Sequence, residues 1–379
     1  MQKIDITIFI IVVILMLIGA VFSYSLPIFL EHIKGWDEYH FLIRYISYAA
    51  VGFILMVILA NLNPDKWFNI IGFSILIISG ILVILIPFLP NSIAPIIKGA
   101  KRWIQIGSVH FAPVEFFKIG VTFFLAWSFT RKIGKATSIK EELKTLLPYL
   151  IVLGIFWAII SMILSDLGQV LVMLGIFITL LLAAGGKFKT FALIILLGTI
   201  GGTYAILSKP YRLERLKNWY VTAMANYFPH YKTNTSLMPA SQVMESLNAI
   251  HHGGIFGRGI GNGVFKLGYL SDVHTDFVLA GIAEEAGLIG ITIVLGLFAI
   301  LLYRIFKISN RSEKQEYKLF ALGIGALIAF QILINGFGIT SILPLKGLTV
   351  PFLSYGGSSL VALCIGIGMV LMISKKAKI

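Results

Sequence analysis

Long apolar runs separated by short polar stretches dominate the chain from end to end. A bilayer core of about 30 Å takes roughly 20 apolar residues as helix. Runs near that length, with little or no charge, cover residues 6–29, 45–61, 68–88, 112–130, 146–165, 167–185, 190–208, 276–303, 319–340 and 350–373. The pattern predicts an all-α polytopic membrane protein of ten transmembrane helices, with one large extracytoplasmic loop, 209–275, between helices 7 and 8. Residues 1–379 read as a single membrane domain that includes this loop. The first run is too long and too weakly flanked for a cleaved signal peptide, and no small-residue cleavage site follows it. No internal repeat or low-complexity tract is visible. Many transporters are built from repeats with helices broken at the midplane, so this absence weighs against transport.

Composition supports the same class. The chain is 58% hydrophobic and 13% charged, against roughly 25% charged in soluble domains, which is too little to clothe a water-facing surface. The lone cysteine, Cys364, excludes a disulfide framework within the chain. A net charge of +14 suits nucleic acid on its face, but its placement points elsewhere. Ten spans put both termini on one side. Placing them inside gathers seventeen lysines and arginines there, among them Lys3, Lys66, Arg131, Lys135, Lys314 and Lys378. The short loops opposite hold Lys34, Lys98, Lys101, Arg102 and Lys346. The asymmetry predicts cytoplasmic termini, and much of the charge is a topology signal rather than a nucleic-acid footprint. All seven histidines, His230 included, then fall outside. Glu115, Asp166, Asp272, Asp276, Glu284 and Glu285 lie at or just beneath that interface. The chemistry is expected on the outer face.

Several motifs there carry polar chemistry. Arg212-Leu-Glu-Arg215-Leu-Lys217-Asn-Trp219 is a basic amphipathic stretch suited to the membrane interface and its anionic headgroups. Six glycines fall within the eleven residues from Gly253 to Gly263. Such spacing resembles loops that cradle anions with backbone N–H groups. A tight irregular loop packed at the membrane surface is the plainer reading. Asp272-Val-His274-Thr275-Asp276 leads into the eighth run, which contains Glu284 and Glu285. Acidic residues in a span are functional candidates by default. On an ideal helix Glu284 lies about 80° around from Asp276 and roughly 12 Å deeper, so the two are expected to share a cavity. Glu285, on the opposite side, is expected to neutralise a buried base such as Lys118 or Arg44. Glu115 and Lys118 are three apart and can pair on one helical face. For them and for Asp166, an internal ion-pair network and a substrate contact are both open. Asn335 and the stretch Ser354–Ser359 add polar groups on the same side.

Together these motifs resemble the SEDS family (shape, elongation, division and sporulation), the bacterial peptidoglycan polymerases. The resemblance spans nearly the whole chain. It rests on Gly99-Ala-Lys101-Arg102-Trp103-Ile, Pro113-Val-Glu115-Phe-Phe-Lys118, Asp166-Leu-Gly168, the segment from Gln242 to Gly290, Asn335, and Lys346-Gly-Leu-Thr-Val-Pro351 with Ser354-Tyr-Gly-Gly-Ser-Ser359, in that order. Lys346-Gly347-Leu348-Thr349 looks like the division branch rather than the elongation branch. The family usually has Gln-Pro-Ser-Glu where this chain has Ala112-Pro-Val-Glu115, and Pro-Glu where it has Ser271-Asp272.

The resemblance implies a glycosyltransferase of the bacterial cytoplasmic (inner) membrane. It would join lipid II, a glycan on undecaprenyl pyrophosphate, into strands, inverting at the anomeric carbon, for septal wall synthesis. Asp276 is then the candidate catalytic base. Lys101, Arg102, Arg212, Arg215 and Lys346 are candidate pyrophosphate contacts. Glu115, Lys118, Asp166, His274, Thr275, Glu284 and Ser358 complete the candidate substrate-binding set. The resemblance fixes no cofactor and is permissive towards a divalent cation (Mg2+ or Mn2+). Implied partners are a class B penicillin-binding protein, divisome proteins and membrane lipids, without nucleic acid. A lipid II flippase, an elongation-type polymerase and a non-catalytic scaffold remain the alternatives.

Overall fold

The computed structural model describes residues 4–97, 99–107, 109–133, 139–227 and 242–377. Lys3, Lys98, Lys135, His230 and Lys378 lie outside the described residues. The described chain is helical almost throughout: α1 (Ile6–Ser25), α2 (Ile28–Lys34), α3 (His40–Asn61), α4 (Pro64–Leu85), α5 (Pro113–Lys132), α6 (Ile139–Ala158), α7 (Leu167–Ala183), α8 (Phe188–Leu207), α9 (Pro210–Tyr227), α10 (Gln242–Gly253), α11 (Val278–Arg311), α12 (Gln315–Ile339) and α13 (Gly357–Ser374). A small antiparallel hairpin, β1 (Ile104–Ile106) and β2 (Val109–Phe111), precedes α5.

Each apolar run holds one of α1, α3, α4, α5, α6, α7, α8, α11, α12 and α13. Among the described residues eight helices are long and apolar enough to cross a membrane; α7 is a shorter apolar helix, and α5 carries Glu115, Lys118, Arg131 and Lys132. The first run splits because Pro27 ends α1, and α2 starts at Ile28. The last run starts late. Pro351 and the positive φ of Phe352 hold 350–356 out of helix, so α13 begins only at Gly357. Caps set other boundaries. Asp5 accepts hydrogen bonds from Thr7 and Ile8 at the start of α1, Asn63 caps α4 ahead of Pro64, and Asp166 caps α7.

Helices α5, α12 and α13 are the most enclosed of the long helices, with α3, α4, α7 and α11 packed around them. Glycines bring backbones into contact, as in other membrane bundles. A Cβ on Gly120 of α5 would lie 2.6 Å from Leu76 Cα of α4. The first and last described residues meet at one end of the bundle. There Arg304 pairs with Asp5 at 2.6 Å, Asp5 N–H donates to Ser374, and Asp65 holds Lys314 and Lys376.

Helix α11 is broken at Gly287 (φ 67°, ψ −168°), near the end opposite the termini. The glycine-rich segment fills the break. Glu284 and Glu285 carbonyls accept from the N–H groups of Arg258 and Gly259, while Leu288 and Ile289 donate to Gly254 and Ile255. The close fit demands glycine, because a Cβ on Gly257 would sit 2.2 Å from Glu285 O. A broken span therefore exists, but it lies towards one end of α11 rather than at its middle.

Candidate active site

Asp276 sits in the turn that enters α11 and is half-buried. Two hydrogen bonds fasten this turn to the segment 346–355 and a third fastens it to α12. Tyr355 N–H donates to His274 O at 2.9 Å, Ser354 Oγ to Thr275 O at 2.5 Å, and Asn335 Nδ2 to Asp276 O at 2.7 Å. The same Asn335 amide donates to Leu348 O at 2.7 Å. Asn335 is fully buried on α12, so it joins the two segments from beneath. The result is close contact between Asp276 and Gly347. A Cβ on Gly347 would lie 2.7 Å from Asp276 Oδ2.

The adjacent residue, Lys346, carries the site towards its cations. Its Cβ packs on Gly168, 3.3 Å from where that residue's Cβ would be. Burial, with help from the charges of Arg212 and Arg215, lowers the Lys346 pKa to about 8, while Asp166 pulls the other way. Arg212, Arg215 and Asp166 thus each act electrostatically on Lys346. Burial raises the Asp166 carboxyl pKa, with Arg102 opposing.

The remaining candidates have definite places. Lys101 Nζ bonds to Leu89 O at the end of the α4 turn. Arg102 donates to Leu164 O and Ser165 O at 3.0 and 2.5 Å and lies 3.6 Å from Asp166, clamping the α6–α7 corner. Arg212 is buried and donates to Ala205 O and Ser161 O, fastening α9 to α8 and to the turn after α6. Arg215 is exposed. Ser358 accepts from Ala112 N–H and donates to His110 O, tying α13 to the hairpin. Thr275 Oγ1 donates to Asp272 O at 3.2 Å, inside the turn. The His274 ring packs against Phe41 and Tyr355.

Glu115 and Lys118 do pair, with Oε2 and Nζ 2.8 Å apart, although the angle falls short of a hydrogen bond. Gln169 donates to the other Glu115 oxygen at 2.6 Å. Glu284 departs from expectation. Instead of sharing a cavity with Asp276, its carboxylate accepts from Val264 and Phe265 N–H and meets His252 Nδ1 at 3.1 Å. Glu285 does neutralise a buried base, but that base is Lys266 at 2.7 Å rather than Lys118 or Arg44. The glycine-rich loop thus cradles carboxylates of its own chain. Lys266, and Ser25 whose Oγ donates to the Glu285 carboxylate at 2.6 Å, gave no sign of this in the sequence, because neither lies at a helical spacing from Glu285. Gln331, fully buried on α12, was also missed; an amide within an apolar span was the available signal. Among the described residues no three His, Cys, Asp or Glu side chains form a group that could hold a metal.

The turn before α11 thus sets one half-buried carboxylate against Gly347, beside a lysine influenced by two arginines. A model of the family described as "Cell cycle protein", covering FtsW, RodA and SpoVE, matches residues 5–379. The chain belongs to this family, the SEDS proteins. Among its SEDS relatives is the probable peptidoglycan glycosyltransferase FtsW of Helicobacter pylori, 42% identical over 374 residues, covering 96% of each chain. The FtsW of Haemophilus influenzae is 35% identical, covering 97% of this chain and 89% of its own. Stage V sporulation protein E of Bacillus subtilis is 32% identical across 99% of this chain and 98% of its own. Solved SEDS structures share the fold. Thermus thermophilus RodA superposes with a TM-score of 0.69 at 22% identity, over 100% of this chain and 99% of its own. A chain from a structure reported as "Structural coordination of polymerization and crosslinking by a peptidoglycan synthase complex" gives 0.73 at 24% identity, over 99% of this chain and 98% of that one. The polytopic α-helical fold is thus common ground between sequence pattern, model and family.

Proposed function

We propose that this peptidoglycan glycosyltransferase polymerises lipid II for the septal wall, with Asp276 as its base. The activity class follows from relatives named for it along the whole chain. The supporting observation is the placement of the Asp276 carboxylate against Gly347, next to Lys346 and its neighbouring arginines. Asp276 takes the proton from the acceptor's 4-hydroxyl as that oxygen attacks the donor's anomeric carbon. The bond from that carbon to the pyrophosphate oxygen breaks, and configuration inverts in one displacement. General-base help of this kind contributes about 10²–10⁴-fold. Lys346 and Arg215 stabilise the departing pyrophosphate. Lys101, Arg102 and Arg212 instead hold the surrounding turns through backbone carbonyls.

The reading includes ten membrane crossings, both termini in the cytoplasm, and Asp276 on the outer face of the inner membrane. Lysine and arginine asymmetry supports this orientation. A class B penicillin-binding protein and divisome proteins are the proposed partners; the likeness to a synthase-complex chain is in keeping with the first. The experiment is purified protein with lipid II, with and without the transpeptidase, assayed for glycan strands. Strands that depend on Asp276 are the expected result. Transbilayer movement of lipid II without strands would favour the flippase, and neither activity would favour the scaffold.

A further inference from the structure

The glycine-rich segment after α10 turns its backbone inward and its large apolar side chains outward. Ile255, Phe256, Ile260, Leu267 and Tyr269 are exposed, Phe256 at 81%, while Lys266 is buried. The exposed charge between Gly254 and Tyr269 is Arg258 alone among these described residues. The inward N–H groups are met by protein. Gly261 donates to Glu285 Oε2, Val264 and Phe265 to Glu284, and Arg258 and Gly259 to the carbonyls freed by the α11 break. Lys266 closes the arrangement, reaching Glu285, Ser25 O and Gly261 O at 2.7, 3.0 and 2.7 Å.

Water would solvate such turns without help, and burying two carboxylates beneath them costs desolvation. In hydrocarbon the balance reverses. Every backbone polar group there needs a partner from the protein, and irregular backbone persists only where one is supplied. Depth agrees. Leu288 is 16 residues from Arg304, which Asp5 holds at the terminal end of the bundle. At 1.5 Å per residue that is about 24 Å, within a hydrocarbon core of about 30 Å, and tilt only shortens it. Leu288 and Ile289 donate to Gly254 and Ile255, so the segment begins at that level. Its apolar side chains extend a stripe of exposed Leu288, Ile289 and Ile293 on a span.

We propose that residues 254–269 form a re-entrant hairpin immersed in the acyl chains of the leaflet nearest Asp276, with Glu284 and Glu285 replacing water as its hydrogen-bond acceptors. This is independent of the catalytic reading: the hairpin's partner is lipid, whatever the site does. It also shortens the water-exposed part of the 209–275 segment.

The test uses the full chain in lipid nanodiscs, with Cys364→Ala removing the buried native thiol. A nitroxide is attached to Phe256→Cys or Ile260→Cys, both exposed positions. Power saturation then compares collision with oxygen, which partitions into lipid, and with a water-soluble nickel chelate. Leu295→Cys on the exposed face of α11 and Lys217→Cys on α9 provide lipid and water references. Oxygen-to-nickel ratios at 256 and 260 several-fold above that at 217, approaching that at 295, are expected. Ratios matching position 217 would place the loop in water and overturn the proposal. Low collision with both reagents would put the surface against protein, a second copy included, and would overturn it equally.

Discussion

Asn335 Nδ2 donates to the main-chain oxygens of both Asp276 and Leu348, each at 2.7 Å. One buried amide therefore sets the distance between the turn that carries the carboxylate and the segment that carries Lys346. Asn335→Ala removes both bonds, and a hydrogen bond of this kind contributes about 0.5–1.5 kcal/mol. Displacing a reacting group by 1 Å can cost about 10²-fold in rate. We expect Asn335→Ala to reduce kcat for strand formation by about that factor, with a modest fall in Tm. Unchanged kcat in a destabilised but folded variant would show that Asn335 supports the fold alone.

Lys346 titrates within reach of experiment. Its pKa is lowered to about 8, so it is charged below that pH and neutral above. If it carries part of the pyrophosphate charge, KM for lipid II rises as pH climbs through about 8, beyond any change shared with the variant. Arginine stays protonated throughout this range. Lys346→Arg should therefore flatten the alkaline limb of the profile. An identical limb in Lys346→Arg would assign it to another group.

The architecture was legible because each span repeats one simple demand, an apolar run of membrane length, and each of those runs holds a helix. Local pairs were legible too: Glu115 and Lys118 lie three apart, and helical geometry alone brings them together. What escaped were features set by chain segments meeting from afar. Lys266 reaches Glu285 across a loop with no periodicity, and Glu284 turned to that loop because the Gly287 break drew it against α11. Asn335 was visible as a polar residue in an apolar run, but its role depends on two turns that converge only in the folded chain. Lys101 and Arg102 were assigned by charge and side, and charge does not reveal that backbone carbonyls would claim them.

Orientation is testable with single cysteines in a Cys364→Ala background. Lys217 on α9 and Lys314 before α12 are both exposed. In intact spheroplasts a membrane-impermeant thiol reagent should label a cysteine at 217 and spare one at 314. The reverse pattern would invert the topology and move Asp276 to the cytoplasmic side.

Glu115 and Lys118 are buried together, at 7% and 1% exposure. A buried charge deprived of its partner costs roughly 3–5 kcal/mol, so Glu115→Ala and Lys118→Ala should each lower the yield of folded protein. The double neutral change Glu115→Gln with Lys118→Met should restore much of it. Normal yield of Glu115→Ala with complete loss of strand synthesis would place Glu115 in contact with substrate instead.

Asp276 is the residue on which polymerisation should depend most. Asparagine keeps its size and much of its hydrogen bonding but cannot accept the acceptor's proton. Asp276→Asn should therefore fold, bind lipid II and lose at least about 10²-fold in strand formation, the lower bound for general-base help. Gly347→Ala tests the same atom from the opposite side. A methyl there would start 2.7 Å from Asp276 Oδ2, so the carboxylate must swing away. Gly347 is exposed, and the change removes no buried contact. A 1 Å displacement again predicts a loss of about 10²-fold, in kcat rather than in folded yield. Glycan product from purified protein and lipid II measures both variants. Near-normal synthesis by Asp276→Asn would remove Asp276 from the chemistry and turn attention to Asp272 in the same turn, whereas loss in Asp276→Asn with full activity in Gly347→Ala would keep the base and show that its position tolerates the shift.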